Sequence, residues 1–75
     1  MITAKCISNR NPYTDKEYPL KEGQSYEVKF IDMGQSHTWI SLNGFREPFN
    51  SVCFEFFEND KPLNIYRDRR FNPYM

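Results

Sequence analysis

Histidine, cysteine and glycine are scarce in this chain, at one, two and three residues among 75. His37 and the widely separated Cys6 and Cys53 lack the close pairing that a zinc site requires, and two cysteines are too few for a disulfide scaffold. No metal or other cofactor is expected, and both cysteines read as free thiols in a reducing compartment. Catalysis has equally little support. A nucleophile needs a positioned base and a third group to orient it, and the spacing of Ser36, His37 and Cys53 supplies no such set, so the chain does not read as an enzyme. Long apolar runs are missing as well. No stretch approaches the roughly 20 apolar residues of a membrane span, and Met1-Ile2-Thr3-Ala4-Lys5 lacks the apolar segment of a secretory signal. A cytoplasmic protein without a membrane partner is the expectation. Net charge is the last absence: ten acids balance ten bases. That balance argues against a nucleic-acid binder, whose affinity comes largely from neutralised phosphates. It is uneven, with a net of −2 over residues 1–58 and +2 over residues 59–75.

Aromatic residues, by contrast, are plentiful: seven Phe, five Tyr and one Trp. Each removes about 150–250 Å² from water when buried, at about 25 cal/mol per Å² of apolar area. A chain of this length buries only about 60–65% of its unfolded surface, so a few such side chains must carry a single core.

Their spacing predicts strands. Ile2 to Ile7 alternates with period two and forms a first strand. Residues 8–19 contain Pro12 and Pro19 and no core periodicity, which predicts a loop long enough to suggest a functional role. Leu20-Lys21-Glu22-Gly23-Gln24 is a turn with Leu20 as a core anchor. Tyr26, Val28 and Phe30 then share one face, opposite Glu27 and Lys29. Residues 37–42 form a third strand, with Ile40 and Leu42 inward and Trp39 on the other side. Asn43-Gly44 predicts a tight type I′ hairpin into a fourth strand at 45–49, where Pro48 marks an edge. Residues 50–53 fit a 3₁₀ turn before a fifth strand at 54–58. Beyond Asn59-Asp60-Lys61-Pro62 a short helix is expected from Pro62 to about Asp68, followed by an irregular tail. The expected fold is therefore all-β: a small five-stranded SH3-like barrel over residues 1–58, with a C-terminal extension over 59–75. An OB-fold is the main competitor, but it often carries a helix where this chain has only Asn43-Gly44.

Three stretches carry a family resemblance: Lys5-Cys6-Ile7-Ser8-Asn9, Leu20 through Val28, and Phe49 through Phe57. In them the chain resembles small SH3-like barrel proteins of phages, prophages and bacterial mobile elements. The resemblance covers about residues 4–58, supports the barrel, and implies no catalytic motif. The tail and the long first loop lie outside its pattern.

Two groups of side chains are candidates for binding. Tyr13 and Tyr18 in the long loop, Trp39 on the third strand and nearby Arg46 offer aromatic and guanidinium groups of the kind enriched at protein interfaces. SH3-type modules take proline-rich peptides on such surfaces, and Asp15 and Glu17 supply acids beside it. Against this, Tyr18 and Trp39 are also plain candidates to cover the core. The second group, Arg67, Arg69, Arg70 and Phe71, suits phosphate contact and base stacking, against the plainer reading in which Ile65, Tyr66 and Phe71 pin the tail to the barrel. The leading expectation is a non-enzymatic binding module of phage or mobile-element origin that engages a host or phage protein. The alternative is a small nucleic-acid-binding barrel acting through the tail. A monomer or weak homodimer is expected, because an edge strand at 45–49 invites pairing that Pro48 opposes.

Overall fold

The structure, a computed structural model, describes residues 1–74. Its elements are β1 (Ile2–Cys6), β2 (Ser25–Met33), β3 (Thr38–Leu42), β4 (Phe49–Asn50), β5 (Phe54–Glu58) and β6 (Lys61–Leu63), with 3₁₀ turns at Ser51–Cys53 and Ile65–Arg67. All pairings are antiparallel, and the six strands form one sheet in the order β4-β3-β2-β1-β5-β6. The expectation of a five-stranded SH3-like barrel holds in its all-β class and is corrected in strand number and closure. The strands number six, and the sheet is open, with β4 and β6 as its edges. It nevertheless curls around one core. Ala4 and Cys6 of β1, Ile40 and Leu42 of β3, Phe49 of β4 and Phe54 and Phe56 of β5 are all buried together. The 3₁₀ link turns the chain so that Phe49 and Phe54 meet at 6.4 Å between ring centroids, although three strands separate β4 from β5 in the sheet order.

Strand β2 departs most from its expected pattern. It pairs with β1 through Ser25–Glu27 and with β3 through Val28–Met33, and the register shifts between Val28 and Phe30. That bulge inserts one residue and inverts the alternation. Tyr26, Val28, Ile31 and Met33 pack against the core, while Phe30 is 60% exposed. Phe30 therefore does not share the inward face of Tyr26 and Val28.

The two turns exchange their expected roles. At Asn43-Gly44 only Gly44 has positive φ, +89°, and Phe45 N–H donates to Leu42 O at 3.2 Å, which is type II geometry. Six residues then separate β3 from β4, and β4 is only two residues long, pairing Ile40 with Phe49 and Trp39 with Asn50. The type I′ signature lies instead at Asn59-Asp60, with φ of 51° and 66°. This turn returns the chain into β6, where Pro62 pairs opposite Phe57; a proline is tolerated because the strand is an edge. The expected helix from Pro62 is thereby reduced to the single 3₁₀ turn at Ile65–Arg67. Asn64 caps that turn by accepting from Tyr66 N–H, and Ile65 is fully buried in the core.

Candidate functional site

Residues 8–19 fold back on themselves. Arg10 bridges to Glu17, Asn11 N–H donates to Lys16 O at 2.9 Å, and Tyr18 N–H donates to Asn9 O at 2.6 Å. Two thiols fasten the base of this excursion: Cys6 Sγ donates to Ser8 O and Cys53 Sγ to Arg10 O. Both cysteines are free and buried, and burial pushes both thiols above their ordinary range. The excursion turns its two tyrosines in opposite directions. Tyr18 is 8% exposed, edge-on to Phe49 at 4.9 Å, and its hydroxyl accepts from Asn50 N–H at 3.4 Å. Tyr18 is therefore a core residue, which corrects its expected place on a binding surface. Tyr13, at 65% exposed, reaches across to His37, ring edge to ring face at 5.1 Å, and His37 in turn leans on Trp39 at 6.3 Å.

Trp39 is half-buried, with its strand neighbours Thr38 and Ile40 turned into the core. On the outer face of β2 and β3 it stands across from Asp32, one pleat along from the pair of Phe30 and Ser41. With Pro48 these four line an apolar groove of about 290 Å³. A second hollow continues from it, sharing Phe30 and Ser41 and bordered by Lys29, Phe45 and Arg46. The structure thus gathers Trp39, Arg46 and, through His37, Tyr13 around one strip, and removes Tyr18 from it. Phe30, Asp32 and Pro48 belong to the strip although local alternation does not place them there, and Lys29 joins them from the outward face that alternation gives it. The signal for Phe30 lies in the consecutive apolar pair Phe30-Ile31, which breaks a period-two pattern and marks the phase change of the bulge.

The second candidate group is largely engaged in holding the tail. Arg70 donates from Nη1 and Nη2 to both carboxylate oxygens of Glu58, at 2.8 Å each, and also binds Asp68. Its guanidinium lies 5.1 Å from the Phe71 ring centroid, and Phe71 packs on the core. Tyr66 shares a hydroxyl-to-hydroxyl hydrogen bond with Ser51 at 2.6 Å. Arg67 and Arg69 are exposed and make no ion pair among the described residues. Among those residues no group of His, Cys, Asp or Glu has metal-binding geometry, and no helix is long and apolar enough to cross a membrane.

Residues 2–75 match the model of the family described as Bacteriophage T4 protein Y07B, so the match runs through the tail as well as the sheet. No curated protein and no solved structure matches the chain.

Proposed function

The chain belongs to the family of bacteriophage T4 protein Y07B, and from that premise we propose that it is a non-enzymatic, phage-encoded binding module that engages a host or phage protein through the outer face of β2 and β3. One observation carries this reading. A bulge in β2 turns Phe30 out to 60% exposure beside the half-buried Trp39. A small chain whose core rests on a few aromatics gains nothing in stability from displaying one, and contiguous exposed apolar surface marks interaction sites. Tyr13 and Arg46 enlarge the same surface with groups enriched at interfaces. The long first connection and the 3₁₀ link into β5 support an SH3-like ancestry for the fold, although its edges are open.

The test is capture from lysates of phage-infected host cells, comparing the wild-type chain with a Phe30→Ser/Trp39→Ala variant whose fold is verified by circular dichroism. A partner retained by the first and lost by the second is the expected outcome. An identical set of captured proteins would remove the reading. The nucleic-acid alternative has less behind it, because Arg70 spends its charge on Glu58 and Asp68. A salt-sensitive shift of DNA or RNA at about 50 mM salt, abolished in an Arg67→Ala/Arg69→Ala variant, would reinstate it.

A further inference from the structure

We propose that the partner presents an extended peptide segment with a base at one end and an acid at the other, laid over Trp39 and Phe30 with its base toward Asp32 and its acid toward Lys29 and Arg46. This rests on the reading above and names the chemistry that the same face selects.

The two hollows adjoin at Phe30 and Ser41, which line both, and together make one strip on the outer face. Its two ends carry opposite charge. Asp32 flanks the Trp39 end, and Lys29 and Arg46 flank the Phe45 end. All three side chains are exposed, and none forms a salt bridge or side-chain hydrogen bond among the described residues. Charged side chains on a small domain are usually solvated and unpaired, so their mere presence decides nothing. Their segregation by sign along an apolar floor is what carries the inference, since complementary charge sets the register and orientation of a bound partner. Glu47 stands beside Arg46 in sequence but does not line either half.

The dimensions favour a single peptide chain. Asp32 and Lys29 lie three residues apart on β2, at most about 10 Å at a rise of about 3.3 Å per residue, since the bulge beside Lys29 shortens the span. In an extended ligand residues i, i+2 and i+4 share a face, so its base and acid can both reach the strip when they stand two or four residues apart, with an apolar side chain of the same face between them in the longer spacing. The floor is only two strands wide.

The experiment is selection from a displayed library of random seven-residue peptides, followed by titration of the enriched synthetic peptides against the emission of Trp39, the only tryptophan in the chain. The wild-type chain is expected to enrich peptides with a base and an acid two or four positions apart, on one face of the extended chain, and to shift its emission to the blue on binding. Asp32→Lys is expected to weaken these peptides at least tenfold and to enrich acid at both ends. Lys29→Glu/Arg46→Glu is expected to enrich base at both ends. Enriched sequences whose charges ignore these reversals would overturn the proposal, as would the absence of enrichment. A free chain that scatters light as a dimer through this face would place a second copy there and overturn it too. If lysate capture depends on Phe30 and Trp39 while no displayed peptide is enriched, the peptide proposal falls and the binding-module reading stands. Loss of both results removes both.

Discussion

Arg70 clamps Glu58 through two parallel hydrogen bonds of 2.8 Å and so ties the tail to the last residue of β5. The same guanidinium binds Asp68 through Nε and Nη2. Hydrogen bonds from Arg70 hold both carboxyls below the ordinary carboxylate range, and Arg70 itself is raised by the pair. A carboxyl whose pKa is lower folded than unfolded stabilises the fold above its unfolded value and loses that contribution as pH falls through the folded one. The contribution of the clamp is thus fully present at neutral pH and is lost as the pH drops below about 4. The clamp is partly exposed, so salt screens it. Arg70→Ala is expected to speed amide hydrogen exchange across residues 65–72 at neutral pH, to leave β1–β3 unchanged, and to flatten the acid dependence. Equal exchange in wild type and variant would show that the clamp holds nothing.

Phe30 and Ile31 are adjacent and face opposite ways, which makes the bulge testable by stability alone. Phe30→Ser removes an exposed ring and is expected to change unfolding free energy by no more than about 0.5 kcal/mol. Ile31→Ser strips a side chain packed against the core and is expected to cost about 2 kcal/mol. Urea denaturation of the two variants checks this, and a reversed ranking would restore the unbroken alternation.

That bulge also shows where the sequence stops being legible. Strand existence follows from local alternation, so β1, β3, β5, the 3₁₀ link and the inward pair Ile40 and Leu42 are all readable. The side chain of Trp39 is readable for the same reason. Phe30 is not, because a single inserted residue inverts every later side chain while leaving composition untouched. Tyr18 escapes for a different reason: its burial depends on residues 8–19 folding back on themselves, with Tyr18 N–H on Asn9 O, and on a long-range contact with Phe49, neither of which has a local periodicity. The tail departs from its expected helix because a helical start signal at Pro62 competes with an edge strand, and pairing with β5 wins.

Tyr18 belongs to the core, and its variants should behave accordingly. Tyr18→Ala is expected to cost about 3–4 kcal/mol, the range for emptying a large aromatic site, a serious loss for a domain of this size. Tyr18→Phe keeps the edge contact with Phe49 but leaves Asn50 N–H without its hydroxyl acceptor, at about 1 kcal/mol. Thermal unfolding that ranked Tyr18→Ala near wild type would contradict the buried placement.

The thiols of Cys6 and Cys53 offer a probe of the loop base. Burial is the leading cause of the raised pKa of each. A thiol raised in the folded state contributes stability that is fully present below its unfolded value and is lost as pH rises through the folded one. Both are therefore expected to resist alkylation by iodoacetamide at pH 7–8 in the native protein, to react completely in denaturant, and to make the fold less stable above about pH 9. Rapid native labelling of either cysteine would show that the base of the excursion opens.

The reversal of the two turns leads to unequal effects of the same substitution. Asp60 sits at φ 66°, a conformation that Asp and Asn tolerate better than other L residues because of their short polar side chains; Asp60→Ala keeps the crowding Cβ and loses that side chain, at about 1 kcal/mol. Asn43 is exposed and its φ is not positive, so Asn43→Ala is expected to fall within about 0.5 kcal/mol of wild type. Gly44 provides the control. A methyl group on its Cα would meet open space, so Gly44→Ala is strained by the φ of 89° alone, at about 1–2 kcal/mol. Melting temperatures should therefore fall for Asp60→Ala and Gly44→Ala and hold for Asn43→Ala. If Asn43→Ala fell as far as Asp60→Ala, a type I′ turn would have to be placed at Asn43-Gly44 after all, and β4 would lengthen toward Phe45.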